Sequence, residues 1–202
     1  MEIDYKGNKI IFKKELNALD KLAIDFTSIL NKLEIKYVLV SGYVSILFGR
    51  SRSSEDIDII IEKISIEQFK KLWAELYRDF ECLNTENVKE AFTDYLLNNN
   101  AVRFSKKNAY VPNIEIKFPD IELNPFDLIT LNARKEVVLN NHTLFVSPIE
   151  LQISFKFFLG SEKDIEDALH LYRVFKKNID IGLIYDFGRK LKIEELLNRY
   201  IK

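Results

Sequence analysis

Residues 38–61, VLVSGYVSILFGRSRSSEDIDIII, constrain this chain more than any other segment. An apolar strand over 37–40 enters a turn at Gly42, and a short apolar helix over 44–48 follows. A polar loop bearing Arg50 and Arg52 then leads into a second apolar strand over 57–61, with Asp56 and Asp58 at its start. Side chains in a strand alternate between faces, so Asp56 and Asp58 project to the same side. Two carboxylates on one face repel each other unless a cation sits between them. Mg²⁺ suits such a pair, because it takes one or two carboxylates together with phosphate oxygens.

The rest of the chain sets bounds on that site. With 202 residues there is room for one large domain or two small ones. A hydrophobic content of 47% and a charged content of 30% describe a folded globular chain rather than a disordered one. The formal net charge of -1 offers no global electrostatic case for nucleic-acid binding, which would require a local basic face. Cys82 is the single cysteine, so no intramolecular disulfide and no cysteine-rich zinc site can form, and a reducing, cytoplasmic setting is expected. The N-terminus is neither basic nor followed by an apolar signal core, and no apolar run approaches membrane-crossing length. No membrane partner is therefore expected. Only 6 glycines and 4 prolines argue against long flexible linkers.

Residues 3–12 read as a hairpin turning at Lys6-Gly7-Asn8-Lys9. Apolar residues at helical spacing predict a helix over 14–33. Ser65 with Gln68 three residues on predicts a capped helix running to Phe80. Residues 85–97 read as another helix, 101–105 and 113–118 as strands, 125–134 as a short helix, and 137–146 as a second hairpin. Ser147-Pro148-Ile149-Glu150 carries a helix-start pattern, with serine as cap and proline at the first helical position; Gly160 would stop that helix. Helices over 165–175, 181–191 and 193–200 follow. Strands and helices mix through the first three-quarters and helices fill the rest. The expected fold class is α+β: a mixed sheet flanked by helices over residues 1–146, with a helical region, 147–202, packed on it.

The pattern Gly42, short helix, Gly49-x-x-Arg52-x-x-x-Asp56-x-Asp58, with a later carboxylate on a strand, resembles the nucleotidyltransferase superfamily of DNA polymerase β-like fold. More narrowly, residues 43–58 resemble the AbiEii-type and related minimal nucleotidyltransferases, and Ser147-Pro148, Lys156 and Lys163-Asp164-x-x-Asp167 are similar to that group's second half. The likeness covers about residues 36–175. It implies transfer of a nucleoside monophosphate from an NTP donor, with Mg²⁺ or Mn²⁺, to an RNA or protein hydroxyl. A tRNA 3′ end is one such acceptor. It further implies the toxin of a toxin–antitoxin pair, with a cognate antitoxin as partner. Small-molecule nucleotidylation and a catalytically silent binding or antitoxin module are the alternatives.

In that frame Asp56 and Asp58 are metal ligands, and a third carboxylate activates the acceptor hydroxyl. Glu115, in Ile114-Glu115-Ile116, is the candidate third carboxylate and third metal ligand, with Asp120 and Glu122 behind it. Gly42 would let the backbone approach a phosphate, with amides of the following helix start and the Ser45 hydroxyl adding contacts. Arg52 and Arg50 offer planar forks for a triphosphate, and Lys156 a point cation for the same charge. Ser41 stands where the family usually has glycine, and serine there is costly if the position needs a positive φ. Asp164 and Asp167 also read simply as acids complementing a helix N-terminus. His142 reads as exposed, and His170 and Cys82 as packing residues.

Overall fold

The alternation of residues 113–117 and the β-branched run after Asp56 build the centre of a large mixed sheet. The computed structural model describes residues 2–120, 122 and 124–201. Among them, nine strands are ordered β1-β2-β8-β9-β3-β4-β7-β6-β5. They are β1 (Ile3–Lys6), β2 (Lys9–Phe12), β3 (Tyr37–Leu39), β4 (Asp56–Ile61), β5 (Phe80–Cys82), β6 (Val102–Lys106), β7 (Asn113–Lys117), β8 (Lys135–Leu139) and β9 (His142–Val146). Around the sheet lie α1 (Ala18–Lys32), α2 (Ser41–Leu47), α3 (Ile66–Leu76), α4 (Val88–Glu90), α5 (Phe126–Asn132), α6 (Ile149–Leu159), α7 (Glu162–Phe175), α8 (Ile181–Leu191) and α9 (Glu194–Tyr200). The expected α+β class, a mixed sheet flanked by helices, is the observed one.

The sheet has two different faces. Ile57, Ile59 and Ile61 of β4 and Ile114 and Ile116 of β7 enter the main core, with Phe26 and Leu30 of α1 and Phe69 and Leu72 of α3. Each such fully buried side chain is worth about 1.5–3 kcal/mol against exposure. On the opposite face Val38 and Ile60 pack with Leu131 of α5. By alternation Asp56 and Asp58 share that second face with Ile60.

Helix α6 is largely apolar and buried around most of its circumference, against α7 and α8. Its residues Ile149, Ile153 and Phe157 belong to the same core as the strands, so one continuous core runs through both parts of the chain. The polar residues of α6, Glu150, Gln152, Ser154 and Lys156, are buried with it and need internal partners.

Several element boundaries differ from expectation for identifiable reasons. Helix α1 starts at Ala18 because Asn17 forms a capping box with Asp20. Helix α3 has the expected Ser65–Gln68 box but ends at Leu76, since Phe80–Cys82 is taken up by β6 as an edge strand. The single helix expected over 85–97 is instead α4, a π-helical segment Ala91–Tyr95 and a 3₁₀ turn Leu96–Asn98. Ala91 and Leu96 are both fully buried five residues apart, a spacing that a π turn places on one side. Ser147 does not cap α6. Its N–H continues the ladder to the Leu39 carbonyl and its hydroxyl is used by Gln152, so Pro148 takes the cap position. Gly160 ends α6 at φ 72, as expected.

Candidate active site

Strand β4 pairs in parallel with β7, and the register sets Asp58 opposite Glu115 and Asp56 opposite Asn113. The three expected carboxylates therefore lie on one sheet face. Asp58 is half-buried, and burial, with Asp56 and Glu115 as like-charged neighbours, pushes its carboxyl up to about 6; a hydrogen bond from Ser41 and the charge of Lys117 pull the other way. Asp56 accepts from the Ser54 hydroxyl at 3.2 Å. Glu115 spends its carboxylate on Arg103, at 2.6 Å. The fallback acids do not join them: Asp120 accepts from the Glu122 N–H at 3.1 Å, and Glu122 is exposed.

Asp56 and Asp58 have the chemistry to hold one divalent cation between them. The raised Asp58 carboxyl marks an electrostatic cost that a cation between Asp56 and Asp58 would relieve. Two carboxylates suffice for Mg²⁺ when substrate phosphates supply other ligands. Among the described residues no three His, Cys, Asp or Glu side chains converge as a metal-binding group, because Glu115 is turned to Arg103.

A cavity of about 300 Å³ opens beside Asp58 and Glu115. Its polar wall is Ser41, Lys117, Asn124, Asp127 and Gln152, and its apolar wall includes Val40, Ile60, Phe126 and Phe155. Lys117 is held by Asp127 at 3.0 Å, and Asp127 also accepts from Asn124 at 2.6 Å. Lys117 could have been read from the same period-two argument that selected Glu115. Phe126, Phe155 and Gln152 carried no local signal, because they reach the cavity from α5 and α6 only once those helices have packed.

The turn into α2 is built differently from the expectation. The left-handed residue is Ser41, at φ 59. A non-glycine residue there is strained by roughly 1–2 kcal/mol. Gly42 is needed for another reason: the Arg52 guanidinium lies over it, and a Cβ at residue 42 would overlap Nη2 and stand 3.1 Å from Cζ. Ser45 is fully buried with its hydroxyl unpaired, and it does not line the cavity.

The three expected phosphate cations are engaged within the protein. Arg52 makes a two-pronged contact to Asp167 of α7, Nε to Oδ1 at 3.1 Å and Nη2 to Oδ2 at 3.0 Å. Lys156 of α6 is buried and contacts Asp164 at 2.6 Å and Asp167 at 3.0 Å. Arg50 pairs with Glu166 and lies 3.7 Å from Asp167. The cluster thus ties the loop ahead of β4 to α6 and α7. Because Arg52 is pinned at both ends of its fork, it cannot swing aside cheaply. Gly42→Ala is expected to cost about 1–3 kcal/mol in chemical denaturation, and a loss below about 0.5 kcal/mol would show that Arg52 moves freely. His170 Nε2 donates to the Phe48 carbonyl at 3.0 Å, and His142 is exposed, so neither approaches the carboxylates.

No protein-family model matches the chain, and no curated protein matches it in sequence. Solved structures do. One is an antigenic nucleotidyltransferase-like protein from Paracoccidioides brasiliensis, with 17% identity and a TM-score of 0.56, covering 89% of this chain and 90% of that one. Another is the lincosamide antibiotic adenylyltransferase LnuA, lincomycin-bound, with 15% identity and a TM-score of 0.53, covering 79% of this chain and 99% of that one. The chain has a nucleotidyltransferase fold. The nucleotidyltransferase fold expected from the Gly42–Asp58 pattern is thereby established, and the activity rests on the site itself. Among the described residues no helix is long and apolar enough to cross a membrane.

Proposed function

We propose that this protein transfers a nucleoside monophosphate from an NTP to a hydroxyl-bearing small molecule bound in the cavity beside Asp58. The observation that carries the reading is the register of β4 and β7, which sets Asp58 beside Glu115 with Asp56 one step along the same face. Asp56 and Asp58 would hold Mg²⁺ or Mn²⁺, and the cation would supply charge neutralisation at the triphosphate and activation of the attacking oxygen. Glu115 stands level with Asp58. Released from Arg103, it is the acid best placed to accept the acceptor's proton.

The acceptor class follows from the cavity. Its volume, about 300 Å³, lies at the small-molecule end of ligand sites. Asp127 is paired with Lys117 and Glu115 with Arg103, which leaves Asp58 as the excess carboxylate, so the wall favours a neutral or cationic ligand over an anionic one. Phe126 and Phe155 offer apolar surface for its body. These features favour a small acceptor over the RNA or protein hydroxyl implied by the AbiEii-type resemblance, and the net charge of -1 adds no support for tRNA. The toxin role with a cognate antitoxin rests on the motifs at 42–58 and 147–167 alone. A helical unit from residue 147 onward, closing over the sheet at 1–146, is the corresponding domain reading.

The test is incubation with each α-labelled NTP, Mg²⁺ or Mn²⁺, and either total RNA, lysate protein or a small-molecule extract. Label is expected in the small-molecule fraction. Asp56→Ala should abolish it, and Phe155→Ala should raise the acceptor KM about tenfold with the NTP KM little changed. Incorporation that persists in Asp56→Ala would overturn the metal assignment. Label confined to RNA or protein would overturn the acceptor class.

A further inference from the structure

The apolar helix α6 carries a glutamine on its first turn, buried to 6% exposure, where an aliphatic side chain would fill the same space at no desolvation cost. Its amide is fully employed. Gln152 Nε2 donates to the Ser41 carbonyl at 2.8 Å, and Gln152 Oε1 accepts from the Ser147 hydroxyl at 2.7 Å. A carbonyl can only accept, so the amide nitrogen must be the end that faces Ser41. Ser147 is itself 1% exposed and anchored through its N–H to the Leu39 carbonyl, in the strand that leads into Ser41.

Ser41 is the residue whose backbone would otherwise avoid the conformation it holds, at φ 59. Its side chain lines the same cavity as Asp58. Strain of this kind persists only where the surroundings over-determine it. The Ser147–Gln152 pair is such a surrounding, and it acts on the peptide that leaves this residue. We propose that Gln152 is a positioning residue, which clamps the Ser41 carbonyl, holds the left-handed turn, and so fixes Ser41 in the cavity wall beside Asp58. The catalytic half of this proposal rests on the assignment of Asp58 above.

The experiment is a double-mutant cycle on the full chain with Gln152→Met and Ser41→Gly. Glycine adopts the left-handed turn without being held, so the clamp should matter only when residue 41 is serine. Gln152→Met is expected to lower the Tm by about 3–6 °C in the wild-type background and by less than half as much beside Ser41→Gly. In the labelled-NTP assay, Gln152→Met should lower kcat about tenfold with the NTP KM within about twofold. The double variant should then be no slower than Ser41→Gly alone. Equal Tm losses in the two backgrounds would overturn the proposal, as would coupled Tm losses with an unchanged kcat. Absence of transfer in the wild-type protein would overturn the function assignment instead, and the melting comparison would still decide whether Gln152 clamps the turn.

Discussion

Asp58→Asn is expected to abolish nucleotidyl transfer and, in metal-free buffer, to make the protein more stable. The catalytic loss should be about 10³-fold or more, since a bound cation supplies several kcal/mol of charge stabilisation and each 1.36 kcal/mol is tenfold in rate. The stability gain follows from the raised carboxyl. Asp58 sits at about 6 in the folded protein, while an unfolded aspartate titrates near 4. Between those values the folded state holds a proton that the unfolded state has released, so stability falls as pH climbs through the window and the loss is complete above about pH 6. Two units correspond to about 3 kcal/mol at most, and the half-buried position reduces that to about 1–2 kcal/mol. Thermal melts in EDTA from pH 4.5 to 8 would read it. The Asn variant should exceed wild type most at pH 8, and the difference should close towards pH 4. A variant less stable than wild type at pH 8 would show that Asp58 is not under the strain described. Added Mg²⁺ should stabilise wild type and leave the Asn variant nearly unmoved, because a ligand stabilises only the state that binds it.

Asp167→Ala should be the most damaging single substitution in the structure outside the apolar core. Its carboxylate is fully buried and accepts from Arg52 and Lys156 at once, with Arg50 beyond. The side chains of Arg52 and Lys156 are only 10% and 4% exposed. Removing the shared acid leaves buried cations short of a partner, and breaking a buried pair in this way costs about 3–5 kcal/mol. For a chain of this size that is a Tm drop of roughly 6–20 °C. The exposed pair between Arg50 and Glu166 offers the contrast, since Glu166→Gln should cost under about 1 kcal/mol. A urea series on the two variants makes the comparison. An Asp167→Ala loss below about 1 kcal/mol would mean that water reaches the cluster and replaces the acid. Arg52 stands four residues before Asp56, so the same substitution should also slow transfer by loosening the approach to β4.

The strand and helix assignments that depend on near neighbours were legible in the sequence. The alternation at Asp56-Ile57-Asp58 and Ile114-Glu115-Ile116 correctly separates core face from cavity face, and the Ser65–Gln68 box correctly starts α3. Where the reading missed, a remote partner had intervened. Helix α3 ends early because β6 recruits residues 80–82, and Ser147 gives up its cap role because Gln152 takes its hydroxyl. The break in residues 85–97 follows from burying Ala91 and Leu96 together, which no helical periodicity announces.

The same division runs through the candidate site. The sequence by itself determined that two aspartates share one face of a strand after a glycine turn, because alternation is a property of backbone geometry over a few residues. Only the tertiary structure decided that Glu115 stands beside Asp58 and that a cavity opens there, since strand register and helix placement are set by burial of the whole core. It also decided what the cations do. Arg52 and Lys156 have the chemistry to hold a triphosphate, but Asp167, separated from Arg52 by 115 positions, is packed where their forks and charges meet it first. Ser41 is the sharpest case: its residue type argues against a left-handed turn, and buried groups on the next layer hold it there.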